Sequence, residues 1–347
     1  MIDIQKIVTT NFNVIKTQAA IGSYKKTLFV YKNESALTSA KSIYAQLGGN
    51  VADILPLSHT TSNDESDLAE KIISKKKDVS GTDQDFIFVC LENGLTINLW
   101  NSLLPLLVGL SAPYKIIPCV SLESDPGQKD IPVAVKLCNS GEQAAISIPA
   151  YFSKINLDRS MSLRDYCYTE EKQVDSLYTI KTVQDTDYES CVSRCNFLNQ
   201  VGKNYVNFGG NLVNGVSIAA QFGAIAAEND IVRAVLDAML KKPYLNNAGL
   251  NNVISAINTA LTRYTHNGFL EQNGVYTGET YEDNYTTPPT TLIKKGVILP
   301  EGYYVARIPM SKINMNDRKA RKFTPITIFM QTLSGARVVE IDGAVVD

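Results

Sequence analysis

The chain has 347 residues, of which 44 % are hydrophobic and 20 % charged, enough to bury a sizeable core in one large domain or two ordinary ones. Its 33 basic and 35 acidic groups leave a formal net charge of −2, which excludes a general nucleic-acid coat, because nonspecific binding draws on an excess of Lys and Arg. The longest apolar stretch, LWNSLLPLLVGL at 99–110, is too short to span a bilayer and contains Pro105, so no stable membrane association is expected.

The opening MIDIQKIVTTNFNVIKTQ alternates polar and apolar residues and lacks the continuous apolar run of a secretory signal, which points to assembly in a cytoplasm. Residues 1–25 read as an extended N-terminal arm, with Val8, Phe12 and Val14 spaced among polar neighbours. A short buried-type strand follows at TLFVY (27–31). The segment 35–49 then reads as a helix with Ser35 as its N-cap and Gly48 at its end. The alternation repeats through ADILPL, the helix DESDLAEKIISKKK, DFIFVCL, the helix TINLWNSLLPLLVGL and YKIIPCV. Apolar strands separated by helix-period segments require crossover connections, so residues 26–120 are expected to form an open, Rossmann-like parallel layer.

Beyond Val120 the rhythm changes. SDPGQKD reads as a turn, and IPVAVKL and AAISIPA read as strands joined across CNSGEQ. These place a small β-rich insertion or edge subdomain at 121–185. Residues 186–347 form the C-terminal part. Helical signals return at 187–202, at 228–242 and at 248–264, where Leu250, Val253, Ile254, Ile257, Leu261 and Tyr264 make a one-sided apolar stripe. Gly268 is the expected left-handed cap residue. A polar, Tyr-rich loop spans 273–291. TLIKKGVILP and YYVARIP follow, then two terminal strands within 325–346 that turn at Ser334-Gly335. The fold class is thus α/β, α+β overall: an open N-terminal layer, a helical pair, a C-terminal mixed sheet, and extended arms at both ends.

Phosphate loops are absent where a nucleotide-binding layer needs them. Neither GxxxxGK[ST] nor GxGxxG follows the first strand, and IGSYKKT (21–27) precedes it. NFGGN (207–211) lacks a strand–loop–helix context and reads as a turn in which Gly supplies positive φ. His59 and His266 are the two histidines. No GxSxG or HExxH accompanies them, and both read as surface residues. The acids at 62–67 read as a solvated helix N-terminus, since their spacing is not that of a calcium loop. Cys90 and Cys119 lie in apolar runs as ordinary buried thiols. Cys191 and Cys195, four apart, would share a helix face but lack further ligands for a metal. No cofactor, metal or catalytic set is expected.

One feature resists this bland reading. Residues 294–322 hold eight basic groups against Glu301 and Asp317, leaving 25 basic against 33 acidic groups elsewhere. Five of the eight, Lys312, Arg318, Lys319, Arg321 and Lys322, fall within eleven residues. Nucleic acid would want interleaved aromatics for stacking, which FTPITI does not supply.

The C-terminal third resembles the contractile tail sheath proteins of phages. The likeness rests on NDIVRAVLDAMLKKPYLNNAGLNNVISAINTAL followed by THNGFL, on GYYVARIPM, and on NDRKARKFTPITIFMQTLSGARVVEI. It covers 200–347 well and YKKTLFVY…AQLGGN…DILPLSH more loosely. The resemblance implies a non-enzymatic subunit of a helical homopolymer, stacked in six-fold rings around a rigid tail tube, that contracts to drive the tube through the host envelope. It implies the tail tube protein and the baseplate and terminator proteins as partners, no nucleic acid, and residence in the virion tail after assembly in the bacterial cytoplasm. On this reading the basic segment 310–322 faces an acidic tube wall through Lys312, Arg318, Lys319, Arg321 and Lys322. The arms exchange strands between neighbours through Val8, Phe12 and Val14 at one end and Val338, Val339, Ile341, Val345 and Val346 at the other, a contact that propagates instead of closing. The competing readings are another tail or baseplate component and an α/β enzyme whose site escapes motif searches.

Overall fold

A computed structural model describes residues 24–332 except 60–64, 80–83, 94, 96–98, 111–114, 160–162, 164–165, 168, 172–182 and 184. The N-terminal half builds a five-stranded sheet from β1 (Lys26–Tyr31), β2 (Ile54–Ser58), β3 (Phe86–Leu91), β4 (Ile117–Leu122) and β5 (Ala134–Leu137), in the order β2-β1-β3-β4-β5. Every pairing is parallel, with Leu28 beside Leu55 and Cys90 beside Cys119. A parallel sheet is covered on both faces, so its central strands are continuous apolar runs. Within β1, Phe29 and Tyr31 enter one core with α1 (Glu34–Gln46), while Leu28 and Val30 enter the other with α2 (Glu65–Val79) and α3 (Leu104–Leu110).

Residues 134–137 thus extend the sheet as its fifth strand. AAISIPA, expected as a strand, is instead a 3-10 turn (Ala144–Ile146) running into α4 (Ser147–Phe152). Its residues are buried on all sides, and a short, fully apolar run carries no period by which a strand can be told from a buried helix. Helix α1 starts after Asn33, so Ser35 lies inside it and is not the N-cap; Gly48, at φ +85°, ends it as expected. The helix expected at 187–202 stops early. After α5 (Asp185–Val192), Asp125 grips Arg194 with Nε at 2.9 Å, and the chain turns into a hairpin of β6 (Phe197–Val201) and β7 (Asn204–Phe208).

The long pair α6 (Ile218–Leu240) and α7 (Asn247–His266) packs on the α1 face. Phe222 of α6 stacks on Phe88 of the sheet with centroids 5.7 Å apart. Helix α6 begins ten residues before the amphipathic signal because IAAQFGAIAA is wedged between sheet and α7 and has no polar face to alternate with. The stripe on α7 is buried as read, save Ile254, which is half-buried, and Gly268 has φ +84°. Beyond α7 the described strands pair two by two, all antiparallel: β8 (Gly274–Val275) with β11 (Ile298–Leu299), β9 (Tyr281–Glu282) with β10 (Thr291–Ile293), and β12 (Tyr303–Arg307) with β13 (Ile326–Met330). No described helix is long and apolar enough to cross a membrane.

Two lysines are fully buried, each against an acid. Lys76 meets Asp85 at 2.5 Å and the Phe86 carbonyl. Lys136 of β5 meets Glu171 at 3.1 Å and Tyr166 at 3.0 Å, and also donates to Asn207 of β7. Burial pulls both ammonium groups below the usual lysine range, and the paired acids oppose it.

Candidate assembly surfaces

The basic segment is the excursion between two paired strands. β12 runs into it at Arg307 and β13 leaves it at Ile326, and these two residues face each other across the ladder. A loop of this length would fray without a closed neck. Buried Thr324 supplies one, donating its hydroxyl to the Ile308 carbonyl at 2.5 Å and lying 3.5 Å from the Met310 sulfur. Ile308 and Met310 are buried beneath it. Three contacts hold the body of the loop. Met310 donates its N–H to the Asn247 side chain (2.9 Å), Asn314 donates its N–H to the Tyr285 hydroxyl (3.0 Å), and Lys312 Nζ lies 3.2 Å from Thr290 Oγ1. The Tyr285–Thr290 stretch is in turn organised by Asp283, whose carboxylate accepts from the N–H groups of Tyr285, Thr286 and Thr290 and from the Thr286 hydroxyl.

Within this frame the basic segment forms one short helix, α8 (Met315–Lys319). Asn314 caps it by accepting the Asp317 N–H at 2.8 Å. Its end is a left-handed residue, Arg321 at φ +54°, with the Lys322 N–H returning to the Asp317 carbonyl. Asp317, the one acid of the segment, is bonded to Asn314 Nδ2 at 2.8 Å. Lys312, Arg318, Lys319, Arg321 and Lys322 are all exposed, and none forms an ion pair with a described acid. The structure therefore brings all five together on one loop whose own carboxylate is already engaged.

The strand-exchange residues Val8, Phe12, Val14, Val338, Val339, Ile341, Val345 and Val346 lie outside the described residues, as does the expected turn at Ser334-Gly335. The point at which the N-terminal segment joins the body is described. Tyr24, at φ +43°, buries its ring edge-on to Phe222 of α6, centroids 6.4 Å apart. Burial and the nearby Asp230 carboxylate push its hydroxyl well above the usual tyrosine range.

The remaining sequence candidates resolve as structure. The strand order reverses between β1 and β3, where doubly wound sheets bind ligands at the strand carboxyl ends. That crevice is filled from within. The Glu92 carboxylate accepts the N–H groups of Lys32 and Asn33 and the Asn33 side chain just where α1 begins, the position an anion would take. Sequence reasoning missed this acid; its signal was a lone Glu directly after a fully apolar strand. His59 is buried, not on the surface, its backbone N–H bonded to the Tyr31 carbonyl; His266 is exposed as read. In NFGGN, Gly209 and Gly210 both have positive φ, and a Cβ on Gly209 would lie 2.0 Å from the Cys195 carbonyl oxygen. Cys191 and Cys195 both turn toward Asp125, at 3.8 and 3.5 Å. Among the described residues, no three His, Cys, Asp or Glu stand together as a metal site would require.

The sheet thus has its switch point closed by its own carboxylate, and the cationic loop is tied to the start of α7 through Asn247. Residues 218–344 match the family model described as E217 tail sheath protein gp31-like, C-terminal domain, a match that supports a phage tail sheath family. The match supports a structural role in the tail sheath of a virion, with self-assembly and contacts to other tail parts. No curated protein matches the chain.

Proposed function

We propose that the chain is the repeating subunit of a contractile sleeve, polymerised in stacked six-fold rings around a tail tube and shortening to drive that tube through the host envelope. The observation that carries this reading is the cationic loop: five exposed Lys and Arg side chains without an acidic partner among the described residues, inside the matched sheath domain. They dock on an acidic tube wall. Single exposed ion pairs contribute about 0–1 kcal/mol each. Such contacts can be released subunit by subunit, while many copies together hold the sleeve in register.

The segments 1–25 and 338–346 act as donated strands that complete a neighbour's sheet edge, through Val8, Phe12 and Val14 and through Val338, Val339, Ile341, Val345 and Val346. They stay bonded while the α/β bodies rotate outward, a rigid-body transition. Baseplate and terminator proteins cap the polymer at its ends. Assembly takes place in the bacterial cytoplasm.

Negative-stain imaging tests the reading. The full chain forms rings or hollow cylinders, and deleting residues 1–18 yields folded particles that no longer polymerise. Monodisperse small particles from the full chain, or normal cylinders from the deletion, would refute the sleeve and the arm respectively.

A further inference from the structure

The three most exposed large apolar side chains among the described residues are Tyr244 (83 %), Met315 (70 %) and Leu240 (69 %). Leu240 closes α6, Tyr244 stands four residues on in the α6–α7 turn, and Met315 opens α8, so the three occupy two places along the chain. The two places are linked through flanking residues: Asn247, at the start of α7, accepts the N–H of Met310, where the basic loop that carries α8 begins.

The turn is rigid even though its side chains stand in solvent. Asn246 donates its N–H to the Tyr244 carbonyl at 2.8 Å and caps α7 by accepting the Gly249 N–H at 2.9 Å. Lys242 is held at φ +52° with its N–H on the Met239 carbonyl. A Cβ on Gly249 would lie 1.9 Å from the Tyr244 carbonyl oxygen, so the backbone beneath the ring is packed to contact. Lys241 and Lys242 are exposed and form no ion pair with a described acid.

We propose that this turn is the second half of the docking surface, and that its partner is an acidic protein surface with apolar recesses that receive Tyr244 and Leu240. The inference rests on the tube-docking reading and specifies what the tube must offer. Charge complementarity selects the partner: the turn adds two cations to the five on the loop, and neither element carries an acid that its own cations engage. A preorganised tyrosine amid cations is the kind of side chain that dominates protein interfaces. Turn and α8 hold one aromatic ring between them, too few for a track of stacked bases.

The test is co-sedimentation of the full-length chain with tail tubes polymerised from purified tube protein. Tyr244→Ala and the pair Lys241→Glu/Lys242→Glu each weaken loading by about tenfold or more, with melting temperatures unchanged because the altered side chains are solvated. Tyr244→Phe retains loading. If the turn variants load normally while Arg318→Glu/Lys319→Glu/Arg321→Glu fails, the turn is not part of the interface and tube docking stands. If all of them load normally, both readings fall. Displacement of the native chain from tubes by duplex DNA at physiological salt would assign the surface to nucleic acid and overturn the inference.

Discussion

Asn33 and Glu92 close the switch point of the sheet. The Asn33 N–H reaches Glu92 Oε2 at 3.0 Å and its side-chain amide reaches Oε1 at 2.6 Å, with the Lys32 N–H on the same carboxylate. Glu92 is buried and directly follows β3, while Asn33 is the residue from which α1 springs. Donors that would otherwise serve a bound anion are thereby satisfied from inside the chain. Replacing Glu92 by Ala orphans them, and the expected loss is about 2–3 kcal/mol in a denaturant titration. Sulfate or phosphate should restore part of that loss in Glu92→Ala and leave the native chain unaffected. A variant as stable as the native chain would mean the carboxylate supports nothing.

Asp283 gives the tyrosine-rich loop a pH dependence whose sign is fixed. Hydrogen bonds from Thr286, Thr290 and Tyr285, acting against burial, hold its carboxyl at about 2, below an ordinary value of 3.8. A depressed folded-state pKa contributes stability that is complete above the unfolded value and is lost as pH falls from 3.8 through about 2. The loop should therefore stay closed at mildly acidic pH and open only near its lower limit. Amide exchange at Thr286 and Thr290 reads this directly. Asp283→Asn should exchange quickly at neutral pH and lose the acid-dependent step, and because Tyr285 and Thr290 brace Asn314 and Lys312, α8 should loosen with it.

The parallel layer was legible because each of its central strands is an unbroken apolar run between helix-period segments, so that periodicity and burial agree. Legibility failed where burial erased the period. The first ten residues of α6, IAAQFGAIAA, went unread because nearly all are apolar and offer no polar alternation, and AAISIPA read as a strand although it is helical, because all its residues are buried. It also failed where one long-range contact overruled a local propensity. The helix at 187–202 breaks beside Arg194, which Asp125 holds from 69 residues away. Of the candidate surface, the charge of the loop could be counted from the sequence. The coupling of α8 to the α6–α7 turn could not, because it rests on Met310 and Asn247, an apolar and an amide residue 63 positions apart.

Lys136 and Glu171 tie β5 to β7 through Tyr166 and Asn207, with the lysine fully shielded from solvent. Removing one partner leaves the other ion in the core, so Glu171→Leu should destabilise the chain by about 3–5 kcal/mol. Lys136→Met/Glu171→Leu should recover much of that, since two apolar groups need no counterion. Chemical denaturation of the two single variants and the double variant checks this through their coupling energy. Additive losses would mean that the pair acts as two independent residues.

Arg321 separates folding from docking within one residue. At φ +54° it takes the left-handed position after α8 that glycine adopts without cost, while its own N–H bonds the Arg318 carbonyl at 3.2 Å and the next N–H bonds Asp317. A side chain in that region costs roughly 1–2 kcal/mol, offset partly by the greater unfolded-state freedom of glycine. Arg321→Gly should therefore leave the protein as stable as before or more so, by up to about 1 kcal/mol. If the guanidinium meets the tube, the same variant should sediment less with tubes, and raising salt should narrow its difference from the native chain. Arg321→Asn, which tolerates the left-handed region but carries no charge, should match glycine in loading. A glycine variant with lower stability and native loading would instead place Arg321 among the residues that hold the loop, and remove it from the docking surface.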